Sequence, residues 1–172
     1  MPSLLDSFRA AARTSERAHR ALLDAAATLS PQARAEGPAG PSSSIDGSVA
    51  AALGADRAWL SRLRRSGHDL AVLEEADLSY GVLTGSPAAA SLRADRIATD
   101  QVVLALVDEL DEATLDASVT WDDEPGGART APLWLCVAQL FEAGSRARGR
   151  LALLLEQRGA EVGALDLIAL GR

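Results

Sequence analysis

Four segments of the chain repeat apolar residues at the spacing of an α-helix, and each is roughly twenty residues long or longer. They run from about Ser3 to Leu29, from Ser43 or Ser44 to about Arg65, from about Pro87 to Leu110, and from about Pro132 to Arg158. Because each segment has its apolar side chains on one face, none can bury that face alone. The pattern predicts an all-α fold in which four helices pack as a bundle.

The ends of these helices have recognisable signals. Ser43 or Ser44 is expected to cap the second helix by accepting a hydrogen bond from a free N–H in its first turn. Thr130 is the expected cap of the fourth helix, and Gly159 is expected to stop it. Pro87 is expected in the first turn of the third helix, where a missing N–H costs nothing.

The connections are of three kinds. Residues 31–44 are rich in Pro, Gly and Ser and predict a linker. Residues 66–85 are less regular, with room for a short helical piece. Val119 and Trp121 alternate before a Pro-Gly-Gly sequence, which predicts a small hairpin before the last helix. The connections after the second and third helices are long for an up-down bundle, so we expect one or two crossovers.

Composition restricts the class of protein. A length of 172 residues is suited to a single domain spanning 1–172. There is no apolar run long enough for a membrane span and no signal-peptide pattern, so we expect a cytoplasmic protein without a membrane partner. The net charge of −7 argues against nucleic-acid binding. Cys136 is the single cysteine, and its apolar neighbours indicate a small core residue.

Several fragments, in the right order over nearly the whole chain, resemble the DinB/YfiT-like superfamily. They are AHRALLDAAATLSP, SSIDGSVAAALGADRAWLSRL, SLRADRIATD, SVTWDDEPGGARTAPLW and RGRLALLLEQRG followed by ALDLI. The resemblance implies a four-helix bundle with a long crossover and a hairpin before the last helix. It also implies a divalent metal held by three histidines, and often a homodimer.

The positions that match those three histidines are Ala51, Ala143 and Ala147. We therefore expect no metal and no cofactor, since a site stripped of its ligands does not retain its ion. The run of small residues and arginines at 143–150, which we call the waist, is interpreted as the place where this centre has been lost. A replacement set of His19, Asp56 and Glu142 remains open, although no convergent spacing supports it.

The remaining polar and aromatic residues near this waist are candidates for lining a pocket. They are His19, Asp56, Trp59, Arg96, Asp100, Gln139 and Arg146. Arg96 and Asp100 are four residues apart and can pair, and the favoured interpretation is a structural ion pair that bridges to another helix. If Arg146 converged with Arg96, the two guanidinium groups would form a clamp for a small anionic ligand. His68, in a turn after the second helix, is expected to be exposed.

Two hypotheses for function follow. The first is a metal-free bundle that acts as a binding or interaction protein, with either a small ligand cavity or a close-packed waist, and with a possible link to stress or damage. The second, which the resemblance implies, is a divergent thiol-dependent transferase, isomerase or hydrolase-like enzyme that uses a non-histidine metal site or no metal.

Overall fold

The computed structural model describes residues 3–37, 43–78, 89–122, 126–166 and 168. Within these ranges the chain is mostly helical, as predicted, with one small sheet. The elements are α1 (Leu4–Ala27), α2 (Pro31–Ala35), α3 (Ile45–Arg65), α4 (Ala71–Glu75), α5 (Ala89–Glu109), β1 (Ser118–Asp122), β2 (Ala128–Pro132) and α6 (Leu133–Glu156). None of these helices combines the length and the apolar character needed to cross a bilayer.

The four long helices pack side by side in an order that differs from their order in the chain. Helix α1 packs against α5 and α6, and α3 packs against the same two helices. Within the described ranges, the extensive helix contacts do not include α1 with α3 or α5 with α6. Helices α1 and α3 are therefore diagonal to each other, as are α5 and α6. The chain thus changes to a non-adjacent helix after the first and third long helices, and not after the second, where a crossover was also expected.

Most helix ends follow the predicted chemistry. The Ser44 hydroxyl accepts a hydrogen bond from Gly47 N at 2.9 Å and caps α3. Gly159 has a φ of 76°, a conformation that favours glycine, and it follows the end of α6. The expected short helical piece after α3 is present as α4. Pro87, together with residues 79–85 of that irregular stretch, lies outside the described residues.

Two expectations about helices were wrong. The Pro/Gly/Ser linker contains a short helix, α2, because the Ser30 hydroxyl accepts a bond from Ala33 N and Pro31 occupies the first turn. Thr130 does not cap α6, because it lies inside β2.

Helix α6 begins directly where the predicted hairpin ends. Strands β1 and β2 are antiparallel, and Ser118 pairs with Pro132, which is also the N-cap of α6. The first N–H groups of the helix need partners that a capping side chain usually supplies. Here Leu133 N donates to Ala117 O at 2.8 Å, and Trp134 N donates to Leu115 O at 2.9 Å. The backbone before the hairpin thus takes the place of the cap.

The core is divided into two apolar clusters. The first, at the hairpin end, contains Leu5, Phe8, Leu60, Leu63, Val103, Leu106, Val119, Leu133, Cys136 and Leu140 among others. The second, at the opposite end, contains Leu22, Ile45, Val49, Leu92, Leu151 and Leu155 among others. Between the two clusters, the inward-facing residues of the long helices are mostly polar or small, and Leu53 of α3 is a buried apolar exception. This middle level contains the charged side chains that are described next.

Candidate functional site

A layer of ionisable side chains crosses the interior between the two apolar clusters. We call it the polar layer and define it as His19 on α1, Asp56 on α3, Arg96 and Asp100 on α5, and Arg148 on α6. The first four are buried, and Arg148 is partly buried. Ionised groups this deep are stable only when they are paired.

Arg96 is the centre of the polar layer. Its Nη1 donates to Asp56 Oδ2 at 2.6 Å, and its Nη2 lies 2.9 Å from Asp100 Oδ1. Its side chain is only 3 % exposed. The predicted Arg96–Asp100 pair and its bridge to a neighbouring helix are both present. The structural interpretation of this pair therefore fits the geometry.

His19 is attached to the same carboxylate. Its Nδ1 donates to Asp100 Oδ1 at 2.9 Å, since an ionised carboxylate can only accept. Burial lowers the pKa of His19, and although the bond to Asp100 opposes this effect, the guanidinium groups of Arg96 and Arg148 add to it. His19 is therefore neutral at pH 7, and its role is that of a buried, hydrogen-bonded core histidine.

Arg148 supplies the second cation of the layer. Burial lowers the pKa of its guanidinium, while the charges of Asp56 and Asp100 raise it. With two guanidinium groups and two carboxylates, the layer is electrically balanced when His19 is neutral. Arg148 Nη2 also donates to Ser145 Oγ at 2.9 Å.

The small residues of the α6 waist make room for this arginine. A Cβ on Gly144 would lie 3.1 Å from Arg148 Nη1, which is closer than an ordinary contact. Ala147 and Arg148 both line a cavity of about 20 Å³ beside the polar layer. A neighbouring cavity, which is lined in part by Gly144, measures about 10 Å³. Each has room for one water molecule at most, so the waist is close-packed and not a ligand chamber.

Part of the Arg96 guanidinium has no hydrogen-bond partner. Its Nε and Nη2 atoms are buried, and neither makes a hydrogen bond of acceptable geometry, although Nη2 lies close to Asp100. A short distance at a poor angle still gives Coulomb attraction, but it leaves the N–H group unsatisfied. The two water-sized cavities adjoin this arginine.

The three positions that match the family histidines differ in their exposure. Ala51 is exposed, whereas the next residue, Ala52, lines the cavity of about 20 Å³. Ala143 and Ala147 are partly buried on α6. Within the described ranges there is no group of three or more His, Cys, Asp or Glu side chains that could hold a metal ion.

The replacement set is not brought together either. Glu142 is exposed and forms an ion pair with Arg146 on the surface of α6. Its carboxylate is therefore separated from His19 and Asp56, which are bound within the polar layer. Arg146 and Arg96, which would form an anion clamp if they converged, do not do so, because Arg146 is exposed and Arg96 is buried. Two residues along a helix correspond to about 200° of rotation, so Arg148 faces the interior and Arg146 faces solvent.

The last two predicted pocket residues, Trp59 and Gln139, line a separate surface groove. We call it the tryptophan groove; it lies between α3, the hairpin and the first half of α6, and it has a volume of about 380 Å³. Its lining residues are Trp59, Arg62, Trp121, Arg129, Ala131, Leu135, Cys136 and Gln139. Burial raises the pKa of the Cys136 thiol, which opposes thiolate formation.

Aromatic and cationic side chains are ordered against each other in this groove. The rings of Trp59 and Trp121 meet edge to face, with their centroids 5.6 Å apart. The Arg62 guanidinium carbon lies 4.7 Å from the Trp59 ring centroid. Such contacts fix ring and cation orientations before any ligand arrives.

The sequence analysis missed Arg62, Trp121 and Arg148 as site residues. Arg62 follows Trp59 by three residues on α3, so the helical spacing could have placed the two together. His68, expected to be exposed, is only partly so, because its Nε2 lies 3.1 Å from Ser118 O.

Removing Arg96 should destabilise the fold far more than removing a surface arginine. We expect Arg96→Met to lower the free energy of unfolding by about 3–5 kcal/mol, because it leaves buried carboxylates without their main partner. Arg93→Met, on the same helix, breaks only the exposed pair with Asp24 and should cost less than about 1 kcal/mol. Urea unfolding measures both, and equal losses would show that the polar layer is not a stability determinant.

His19 should make stability depend on pH. Its lowered pKa means that the unfolded state binds the proton more readily than the folded state. The contribution of neutral His19 to the free energy of unfolding is therefore complete above about pH 6.5, the usual histidine pKa. It is lost as the pH falls towards the lower pKa of the folded state. We expect a decline of up to about 1.4 kcal/mol per pH unit below that point.

The two histidines of the chain provide a matched comparison for this effect. In urea unfolding between pH 5.5 and 8, His19→Gln should abolish the decline, and His68→Gln should retain it. A decline that survives His19→Gln would assign the pH dependence to another group.

Two glycines of α6 test the space around Arg148. Gly149→Ala should stabilise the protein by about 0.8–1 kcal/mol, because nothing lies within 4 Å of the added methyl group and alanine favours a helix. Gly144→Ala should gain less or destabilise, because its methyl group would displace Arg148. Thermal and urea unfolding give both values, and equal gains would mean that Arg148 moves aside at no cost.

No family model, curated protein or solved structure matches this chain. Membership of the DinB/YfiT-like superfamily therefore stays a prediction. The function has to be inferred from the side chains that the fold brings together, and those side chains form two sites: a filled polar layer and an open tryptophan groove.

Proposed function

We propose that this protein binds a small planar anion, of the aromatic carboxylate class, in the tryptophan groove. The observation that carries the proposal is the juxtaposition of a tryptophan pair with Arg62 and Arg129 around about 380 Å³ of open space. Ligand sites typically measure about 300–1,000 Å³ and combine apolar walls with a few placed polar groups. The cavities beside the polar layer are far smaller.

The charge of the groove favours an anion. The whole chain carries a net charge of −7, yet the described residues that line this groove include two arginines and no Asp or Glu side chain. A guanidinium group presents a planar fork of donors that matches the two oxygens of a carboxylate. Gln139 adds an amide that can donate a further hydrogen bond.

The aromatic wall favours a flat ligand. Trp59 and Trp121 offer ring edges and faces on which an aromatic ring can pack. Arg62 is already held over Trp59, so ordering it on binding costs less conformational entropy than ordering a free side chain.

The proposal also includes the DinB/YfiT-like four-helix bundle, without metal and as a homodimer. The hairpin immediately before the last long helix supports the family assignment, because it is the order that the resemblance implies. The alternative, a thiol-dependent enzyme, has support only from the resemblance.

Calorimetric titration with benzoate and with benzamide tests the proposed ligand class. Benzamide has the same shape without the charge, so we expect benzoate to bind about tenfold more tightly, as one charge-assisted contact provides. Binding should also change tryptophan fluorescence, since two of the three tryptophans line the groove.

Arginine variants test whether the ligand binds in the tryptophan groove. Arg62→Gln should weaken benzoate binding about tenfold, whereas Arg150→Gln, which removes an exposed charge of α6, should leave it unchanged. Equal binding of benzoate and benzamide, or no binding of either, would refute the proposal.

A further inference from the structure

A second groove adjoins the tryptophan groove farther around α3 and shares Arg62 with it. It has a volume of about 280 Å³, and Gly54, Arg57, Ser61, Arg62, Arg65 and Asp122 contribute to its lining. Three arginines and one carboxylate give this wall an excess of positive charge. We call it the arginine groove.

Arg62 belongs to both grooves, and two consecutive residues of β1, Trp121 and Asp122, line one groove each. The two spaces are therefore neighbours along a single surface and share one cation. A ligand that occupied the tryptophan groove could extend past Arg62 without leaving the protein surface.

The spacing of residues along α3 determines which side chains such a ligand would contact. Trp59, Arg62 and Arg65 follow one another at intervals of three residues, so successive Cβ atoms lie about 5–6 Å apart along one ridge. A ring packed beside Trp59 would place a directly attached group near Arg62 and Arg65 together. Arg57 is anchored at the edge of this groove through Asp95 and Thr99.

We propose that the preferred ligands are small aryl phosphates, with the ring in the tryptophan groove and the phosphate between Arg62 and Arg65. This inference rests on the proposed function, because the ring site is the same. A carboxylate can satisfy one guanidinium fork, whereas a phosphate monoester carries nearly two charges at pH 7 and three terminal acceptor oxygens. Two arginines one turn apart match that larger anion.

The test is calorimetric titration of the full chain at pH 7.5 and constant ionic strength with three probes: phenyl phosphate, benzoate and inorganic phosphate. Phenyl phosphate should bind at least about tenfold more tightly than either of the others, because only it occupies both grooves. Arg65→Gln should remove its advantage over benzoate and leave benzoate binding itself unchanged. Arg150→Gln should alter neither affinity.

The outcomes separate the two proposals. Benzoate binding that depends on Arg62, with phenyl phosphate no tighter, would overturn this inference and leave the proposed function intact. No binding of benzoate or phenyl phosphate would overturn both. Inorganic phosphate binding as tightly as phenyl phosphate would show that the ring contributes nothing, and an equal loss in Arg65→Gln and Arg150→Gln would show a general charge effect. Either of these last two results would also overturn the inference.

Discussion

The bond between Arg96 and Asp56 links two long helices at the level between the two apolar clusters of the core. It joins α5 to α3 at the level where the apolar core is interrupted, and Asp100 extends the connection to His19 on α1. Because charges at this depth are tolerated only when paired, the four long helices have to meet at one register. An apolar core alone would allow small slides of one helix along another, and the polar layer disfavours them.

The same layer decides where a ligand can bind. Arg148 fills the waist that its small neighbours leave open, and the remaining spaces of about 20 and 10 Å³ admit only water. The interior, where the sequence predicted either a small ligand cavity or a close-packed waist, is thus occupied by an ion network. Open volume is found instead at the surface between α3 and the hairpin, where tryptophans and arginines surround it, and this is where we propose that a ligand binds.

Much of the fold followed from the sequence because periodicity and caps are local signals. The four long helices, the Ser44 cap and the hairpin depend on neighbouring residues only. The site was harder to predict. Arg146 and Arg148 lie among small residues, where no apolar stripe marks the inward face. Arg146 was predicted to line a pocket, whereas Arg148 is the arginine that faces the interior. Thr130 was predicted to cap the last helix, but it lies inside β2. Strand pairing is a tertiary effect that a local signal does not show.

The direct junction of β2 with α6 has a consequence for motion. No residue separates Pro132 from Leu133, and the backbone bonds from Leu133 and Trp134 to Ala117 and Leu115 brace the end of the hairpin that adjoins α6. Trp121 is therefore carried on strands that continue directly into a long helix, and its ring packs edge to face against Trp59 of α3. Access to the groove depends on rotation of exposed side chains, which takes picoseconds to nanoseconds, instead of hinge opening, which takes about a thousand times longer or more. If the groove binds the proposed ligand, we expect exchange at a rate set by encounter and affinity, without a gating step.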